Sequence, residues 1–125
     1  MIPEDLLYTK EHEWVKIEAD TAIVGITDYA QRLLSEITFV ELPAIGKKID
    51  LGGELAMVES SKAASDVYCP FPGEVIETNS LLESNPELIN DDCFNQGWIA
   101  KIKIENPDTS GLMNSQEYEQ YTKGL

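Results

Sequence analysis

Apolar and polar residues alternate over short runs along most of the chain, and turn-forming residues separate the runs. Trp14-Val15-Lys16-Ile17 and Thr21-Ala22-Ile23-Val24-Gly25-Ile26 flank the polar Glu18-Ala19-Asp20 and predict a hairpin. Asp28 opens a short helical stretch, Tyr29 to Leu34, made of good helix formers behind a capping-type residue. Strand character returns at Ile37-Thr38-Phe39-Val40-Glu41-Leu42 and stops at Pro43, which has no N–H for a ladder. Gly46, Gly52 and Gly53 mark turns around Lys47 to Leu51. Glu54 to Glu59 reads as a strand, and Ser65 to Cys69 as another, ended by Pro70. Gly73 to Glu77 follows a Pro72-Gly73 turn signal and is expected to begin a second hairpin stacked on the first. Residues 78 to 97 are rich in Asn and Asp and read as polar and irregular. Trp98 to Ile104 alternates as a half-buried strand does. Asn114 precedes Glu117 at capping-box spacing, and Leu112, Met113, Tyr118 and Tyr121 are expected on one apolar stripe of a short helix. No linker interrupts the pattern. Residues 1–125 are therefore expected to form a single domain, mostly antiparallel β with a C-terminal helix.

Composition narrows the functional classes. With 42% hydrophobic and 26% charged residues, the 125-residue chain is near the globular averages and long enough to hold a core without metals or disulfides. Acids outnumber bases 23 to 9, a formal charge of −14. A duplex binder needs clustered Lys and Arg to displace counterions from phosphates, so nucleic acid is excluded as a partner. No apolar run approaches a membrane span, so no membrane partner is expected either. The first residues lack the layout of a signal or transit sequence, which points to a bacterial cytoplasm, or to an organelle matrix for a mature form. Cys69 and Cys93 show no metal or redox spacing and are expected as buried free thiols. His12 is the sole histidine, so a His-based zinc site cannot be assembled, and a Ser–His–Asp triad would rest on that one residue. Trp14 and Trp98, in strand settings, are expected as core anchors.

Ser60-Ser61-Lys62-Ala63-Ala64 carries the candidate chemistry. Two strand-like runs approach each other with Lys62 between them, which puts it at the tip of a tight turn. A lysine in a turn is usually a solvated charge. Here the four neighbours are all small, so nothing bulky shields the ε-amine from a modifying enzyme.

Glu59-Ser60-Ser61-Lys62-Ala63-Ala64-Ser65-Asp66, followed by Pro70, Gly73, Glu74 and Val75, resembles the attachment motif of lipoyl carrier domains. The match is closer still to the glycine cleavage H-protein family. Tyr8-Thr9-Lys10-Glu11-His12-Glu13-Trp14-Val15 is similar to its N-terminal signature. So are Gly25 to Gln31, Phe39 to Pro43, Pro86 to Asn90, Gly97-Trp98, Lys101 to Lys103 and the Leu112 to Tyr118 segment. The resemblance covers nearly all of residues 6 to 122.

This resemblance implies a mainly β barrel-sandwich hybrid with short helices, Lys62 on a hairpin, and no catalytic residue of its own. Lipoic acid would be held in amide linkage on Lys62. The arm would take the aminomethyl group of glycine at a pyridoxal-phosphate-dependent glycine decarboxylase. A tetrahydrofolate-dependent aminomethyltransferase would unload it, and dihydrolipoyl dehydrogenase would reoxidise the dithiol. Glu59 matches the acid that lipoate-attaching enzymes recognise. Glu13 and Asp66 match acidic positions of the cleft that receives the loaded arm, and His12 is a further candidate there. Carboxylates would hold a cationic aminomethyl amine by charge-assisted hydrogen bonds. A monomer suits a carrier that visits several enzymes. Ser35 stands where glycine is usual in the family, which predicts a reshaped turn after the first helix. A second reading keeps the same arm but assigns it to lipoate relay or another lipoyl-dependent redox pathway. A biotin carrier usually flanks its lysine with methionines, unlike Ser61 and Ala63, and a Schiff-base enzyme needs a desolvated lysine.

Overall fold

The computed structural model describes residues 2–105 and 107–125; Met1 and Asn106 lie outside it. In chain order the elements are β1 (Leu7–Tyr8), β2 (Glu13–Glu18), β3 (Thr21–Ile26), α1 (Asp28–Leu34), β4 (Ile37–Glu41), β5 (Lys48–Ile49), β6 (Glu54–Ser60), β7 (Ala64–Tyr68), β8 (Gly73–Thr78), α2 (Leu81–Ser84), α3 (Leu88–Asp92), β9 (Ala100–Ile104) and α4 (Ser115–Lys123). A six-stranded sheet runs β1-β2-β3-β9-β8-β5 and a three-stranded sheet runs β4-β6-β7, with antiparallel pairing throughout. Val24, Val75 and Ile102 of the larger sheet share one buried cluster with Val40, Val58 and Val67 of the smaller. Alternation explains the pairing of faces, since every second side chain of these strands points into that shared core.

The β2–β3 hairpin forms as its sequence predicts, with Trp14 opposite Gly25. The indole lies flat over Gly25: a Cβ there would stand 2.6 Å from three of its ring atoms. Trp14 is 2% exposed and its Nε1–H donates to the Cys93 carbonyl at 2.9 Å, so its one polar atom is satisfied. Cys69 and Cys93 are buried free thiols, and burial pushes them up to about 11 and about 12 respectively.

Three expectations need correction. Asp28 is the first helical residue, and the cap of α1 is Thr27, whose hydroxyl accepts from Ala30 N–H at 3.3 Å. Ser35 has φ 67° and ψ −148°, a region that glycine tolerates and a side chain resists, so the turn after α1 is strained. Asn90 stitches that turn: its Nδ2 donates to the Ser35 carbonyl and to Gln31 Oε1, and its Oδ1 accepts from Ile37 N–H. Residues 78–97 are not irregular, because burying Leu82 and Ile89 folds α2 and α3 as short turns of helix. Finally, β8 begins no local hairpin, although it does lie in the sheet stacked against that of β6 and β7. It pairs with β5 and β9 in the opposite sheet, and a Cβ on Gly73 would meet Ile102 Cγ2 and the Lys103 carbonyl at 2.4 Å.

The C-terminal helix carries the expected capping box, Asn114 with Glu117. Leu112 and Met113 precede the helix, and Met113 instead exchanges two backbone hydrogen bonds with Tyr8. Tyr118 stacks on Tyr8 with ring centroids 4.8 Å apart, which docks α4 against β1.

Candidate functional site

Lys62 is exposed and sits in the two-residue connection between Ser60 and Ala63, where β6 turns into β7. Tight hairpins normally use left-handed residues at such a tip. Neither Ser61 nor Lys62 has a positive φ, so the turn needs another closure. Ser60 supplies it. Its N–H donates to the Ala63 carbonyl at 2.8 Å, and its Oγ accepts from the N–H groups of Lys62 at 3.2 Å and Ala63 at 3.1 Å. The lysine backbone is pinned while its side chain stands free in water. Sequence reading saw in Ser60 only a small residue; its clamping hydroxyl is a product of the turn geometry.

Glu59 makes the last pair with β7, opposite Ala64, and lies opposite Phe39 of β4. Asp66 lies on β7 opposite Met57 and is exposed. Glu59 and Asp66 thus share the outward face of the three-stranded sheet that bears Lys62.

Glu13 is placed differently. The first residue of β2, it is 2% exposed, and both carboxyl oxygens are engaged: Oε1 accepts from Thr9 Oγ1 at 2.7 Å and Oε2 from Tyr68 N–H at 3.1 Å. The second bond ties the six-stranded sheet to the end of β7. Burial raises its pKa above the ordinary carboxyl value, and those two hydrogen bonds oppose the shift. Glu13 lines a cleft of about 530 Å³ whose other walls include Thr9, Glu11, Leu51, Tyr68 and Phe71. Neither Asp66 nor His12 lines it. Thr9 and Tyr68 were invisible as site residues, because one contributes a hydroxyl four positions away and the other only a backbone N–H.

His12 faces away from the cleft lining, into aromatic rings. Its φ is 71°, and its ring lies 4.6 Å from that of Tyr29 and 5.8 Å from that of Tyr118. Nδ1 is 2.7 Å from the Tyr118 hydroxyl, which is also 2.7 Å from Thr27 Oγ1. Burial lowers the imidazole pKa, the nearby Glu11 opposing it, so the ring is neutral at pH 7. The Tyr118 hydroxyl thus bridges His12 Nδ1 and Thr27 Oγ1, which also accepts from Ala30 N–H. This chain fastens β2, α1 and α4 together.

Residues 6–124 match the family model described as glycine cleavage H-protein. The chain belongs to the glycine cleavage H-protein family.

Among its relatives, the glycine cleavage system H protein of Herpetosiphon aurantiacus is 48% identical over 120 residues, covering 96% of this chain and 92% of the relative. That of Xanthobacter autotrophicus is 51% identical over 119 residues, covering 94% and 95%. The crystal structure of a glycine cleavage system H protein from Mycobacterium marinum superposes with a TM-score of 0.90 at 32% identity, over 99% of this chain and all of that one. Members of the glycine cleavage H-protein family carry lipoate and act as carrier components, not catalysts. The two-sheet fold with short helices and a C-terminal helix agrees with that neighbour. No closed barrel forms among the described residues; the sheets remain two. No helix among them is long and apolar enough to cross a membrane, and none of their His, Cys, Asp and Glu side chains cluster as a metal site.

Proposed function

We propose that this chain carries lipoate on Lys62 and shuttles the aminomethyl group of glycine from a pyridoxal-phosphate-dependent decarboxylase to a tetrahydrofolate-dependent aminomethyltransferase, with dihydrolipoyl dehydrogenase restoring the disulfide. The observation that carries the reading is the Lys62 hairpin: an exposed amine, small neighbours on both sides, and a backbone held by Ser60. These residues fit the group. An acyl chain joined to Nζ meets no side chain larger than a serine hydroxyl at the tip, so attachment needs no rearrangement. Bound there, lipoate supplies a redox-active dithiolane that accepts the one-carbon group and electrons.

The chain's own residues bind and orient. The clamped tip fixes where the arm starts, which keeps its far end at high effective concentration near each partner's active site. Glu13 carries a buried carboxylate on the cleft wall, where an ammonium would supply the counter-charge that the protein withholds. Asp66 and Glu59, on the hairpin's outward face, serve the approach of partners. His12 serves structure, through Tyr118. The reading takes residues 1–125 as one domain, working as a monomer in a bacterial cytoplasm; that the relatives named above are bacterial supports the host.

Intact-mass analysis of the protein from its native host, with fragmentation to locate the modified peptide, tests the attachment. A lipoyl increment confined to Lys62 supports it, and an unmodified Lys62 in lipoate-replete cells refutes it. Glycine-dependent exchange of bicarbonate with purified decarboxylase tests the pathway. A lipoylated carrier that supports no exchange would move the protein to lipoate relay.

A further inference from the structure

The three strands β4, β6 and β7 contain not one lysine or arginine, although Glu41, Glu54, Glu59 and Asp66 are all on them. The strands of the opposite sheet balance Lys16, Lys48, Lys101 and Lys103 against Glu13, Glu18, Glu74 and Glu77. Net negative charge is therefore concentrated on the strands of the smaller sheet. The sheet with no bases is the one that ends in Lys62.

Its outward face also displays apolar side chains, and one of them is there because of a backbone irregularity. Regular alternation from the buried Ile37 would turn Phe39 into the core. A β-bulge between Ile37 and Phe39 shifts the phase, so that Thr38 and Phe39 both face water while Val40 returns to the core. Phe39 is left 49% exposed. Bulges of this kind re-aim side chains beside functional sites. Across the strands, Phe39 shares a row with Glu59 and Ala64, and the next row is Glu41, Met57 and Asp66. Strands lie about 4.8 Å apart, so Phe39 stands roughly 10 Å across the sheet from Ala64, beside the hairpin tip. An exposed aromatic ring flanked by carboxylates, on the sheet whose hairpin bears Lys62, has the composition of a docking anchor with a charged rim.

We propose that this outward face seats a lipoate-attaching enzyme, with Phe39 entering an apolar pocket of that enzyme and Glu41, Glu59 and Asp66 meeting lysine or arginine side chains around it. The inference rests on the attachment of lipoate at Lys62. The choice of partner follows from reach. An attaching enzyme acts on Nζ itself: a C–N bond forms to an activated lipoyl carbonyl, the activating group leaves with its bonding pair, and Nζ gives up a proton. It must therefore enclose the tip and touch the strands that flank it. Enzymes that act on the dithiolane meet the far end of the arm and can stand further off. The rim is acidic, so the enzyme's matching surface is basic.

The test is the initial rate of lipoyl transfer to the unmodified carrier by a lipoate–protein ligase with ATP and lipoate, as a function of carrier concentration. Phe39→Ser is expected to raise KM about tenfold with kcat near that of the parent, and Phe39→Leu to recover much of that loss. Glu41→Gln with Asp66→Asn should raise KM severalfold and flatten its dependence on salt. Ile76→Ser, on β8 of the other sheet and 40% exposed in the parent, should leave KM unchanged. Circular dichroism and thermal midpoints establish that each variant is folded. A Phe39→Ser variant with KM within twofold of the parent overturns the docking face, as does an equal rise with Ile76→Ser. If Phe39→Ser spares the ligase but impairs the decarboxylase, the face belongs to the decarboxylase and the assignment is wrong. A parent protein that takes no lipoate at Lys62 sinks the proposed function itself, whereas normal uptake that ignores Phe39 removes only the docking face.

Discussion

Replacing Tyr118 by Phe isolates one polar chain from the packing around it. The phenol ring stacks on Tyr8 at 4.8 Å, and a phenylalanine keeps that stack. What disappears is a hydroxyl bonded to His12 Nδ1 and to Thr27 Oγ1, each at 2.7 Å. Thr27 is 0% exposed, so its hydroxyl loses this partner with no water to replace it. A buried donor or acceptor left unpaired costs about 1–3 kcal/mol, and the half-buried imidazole adds a smaller loss because water can reach it. The expected total is about 2 kcal/mol, or a fall in thermal midpoint of roughly 6–12 °C for a chain of this size. Urea unfolding at pH 8 is the suitable assay. The folded pKa of His12 is lowered, so the stability it contributes is fully present above its ordinary value of 6.5 and is lost as pH falls through the folded value. At pH 8 the imidazole is neutral in both states, and the difference between variants reports hydrogen bonding rather than titration. A loss below about 0.5 kcal/mol would refute the reasoning. So would a normal stability accompanied by failure to receive the aminomethyl group, which would move His12 from structure into the arm's own chemistry.

Other consequences follow from the same geometry. Ser35→Gly should raise stability by about 1 kcal/mol, because relief of a left-handed serine outweighs the extra freedom of an unfolded glycine; a destabilised variant in urea would show the turn unstrained. Ser60→Ala should speed hydrogen exchange at the Lys62 and Ala63 amides by about tenfold while changing global stability by less than about 1 kcal/mol; unchanged exchange would mean that Ser60 does not close the turn. Glu13 has a raised folded pKa, so its contribution is present below its unfolded value of 4.5 and is lost as pH rises through the folded value. Glu13→Gln should therefore gain on the parent as pH rises from 4 to 7, and parallel pH–stability curves would contradict burial as the dominant influence. Asn114→Ala should cost about 1 kcal/mol by opening the capping box, read as a lower urea midpoint.

Local patterns carried most of the architecture. The β2–β3 hairpin, the strand ending at Pro43 and the capping box of α4 all rest on interactions within a few residues, and periodicity with turn chemistry reports such interactions directly. Lys62 was legible for the same reason, since two strands that approach in sequence must turn between them. The rest depended on partners far apart in the chain. Glu13 was placed at the arm cleft only by resemblance, and its burial depends on Tyr68, 55 residues on. His12 could have faced the cleft or the rings, and Tyr118, 106 residues away, decided which. The bulge that turns Phe39 outward leaves no mark in the alternation of β4 itself; it arises from the register that β6 imposes across the sheet. Short helices α2 and α3 hide in a polar segment because only Leu82 and Ile89 are drawn into the core. Side-chain alternation depends on each residue's own neighbours, whereas burial, protonation and the outward face of a strand depend on what the opposite sheet covers.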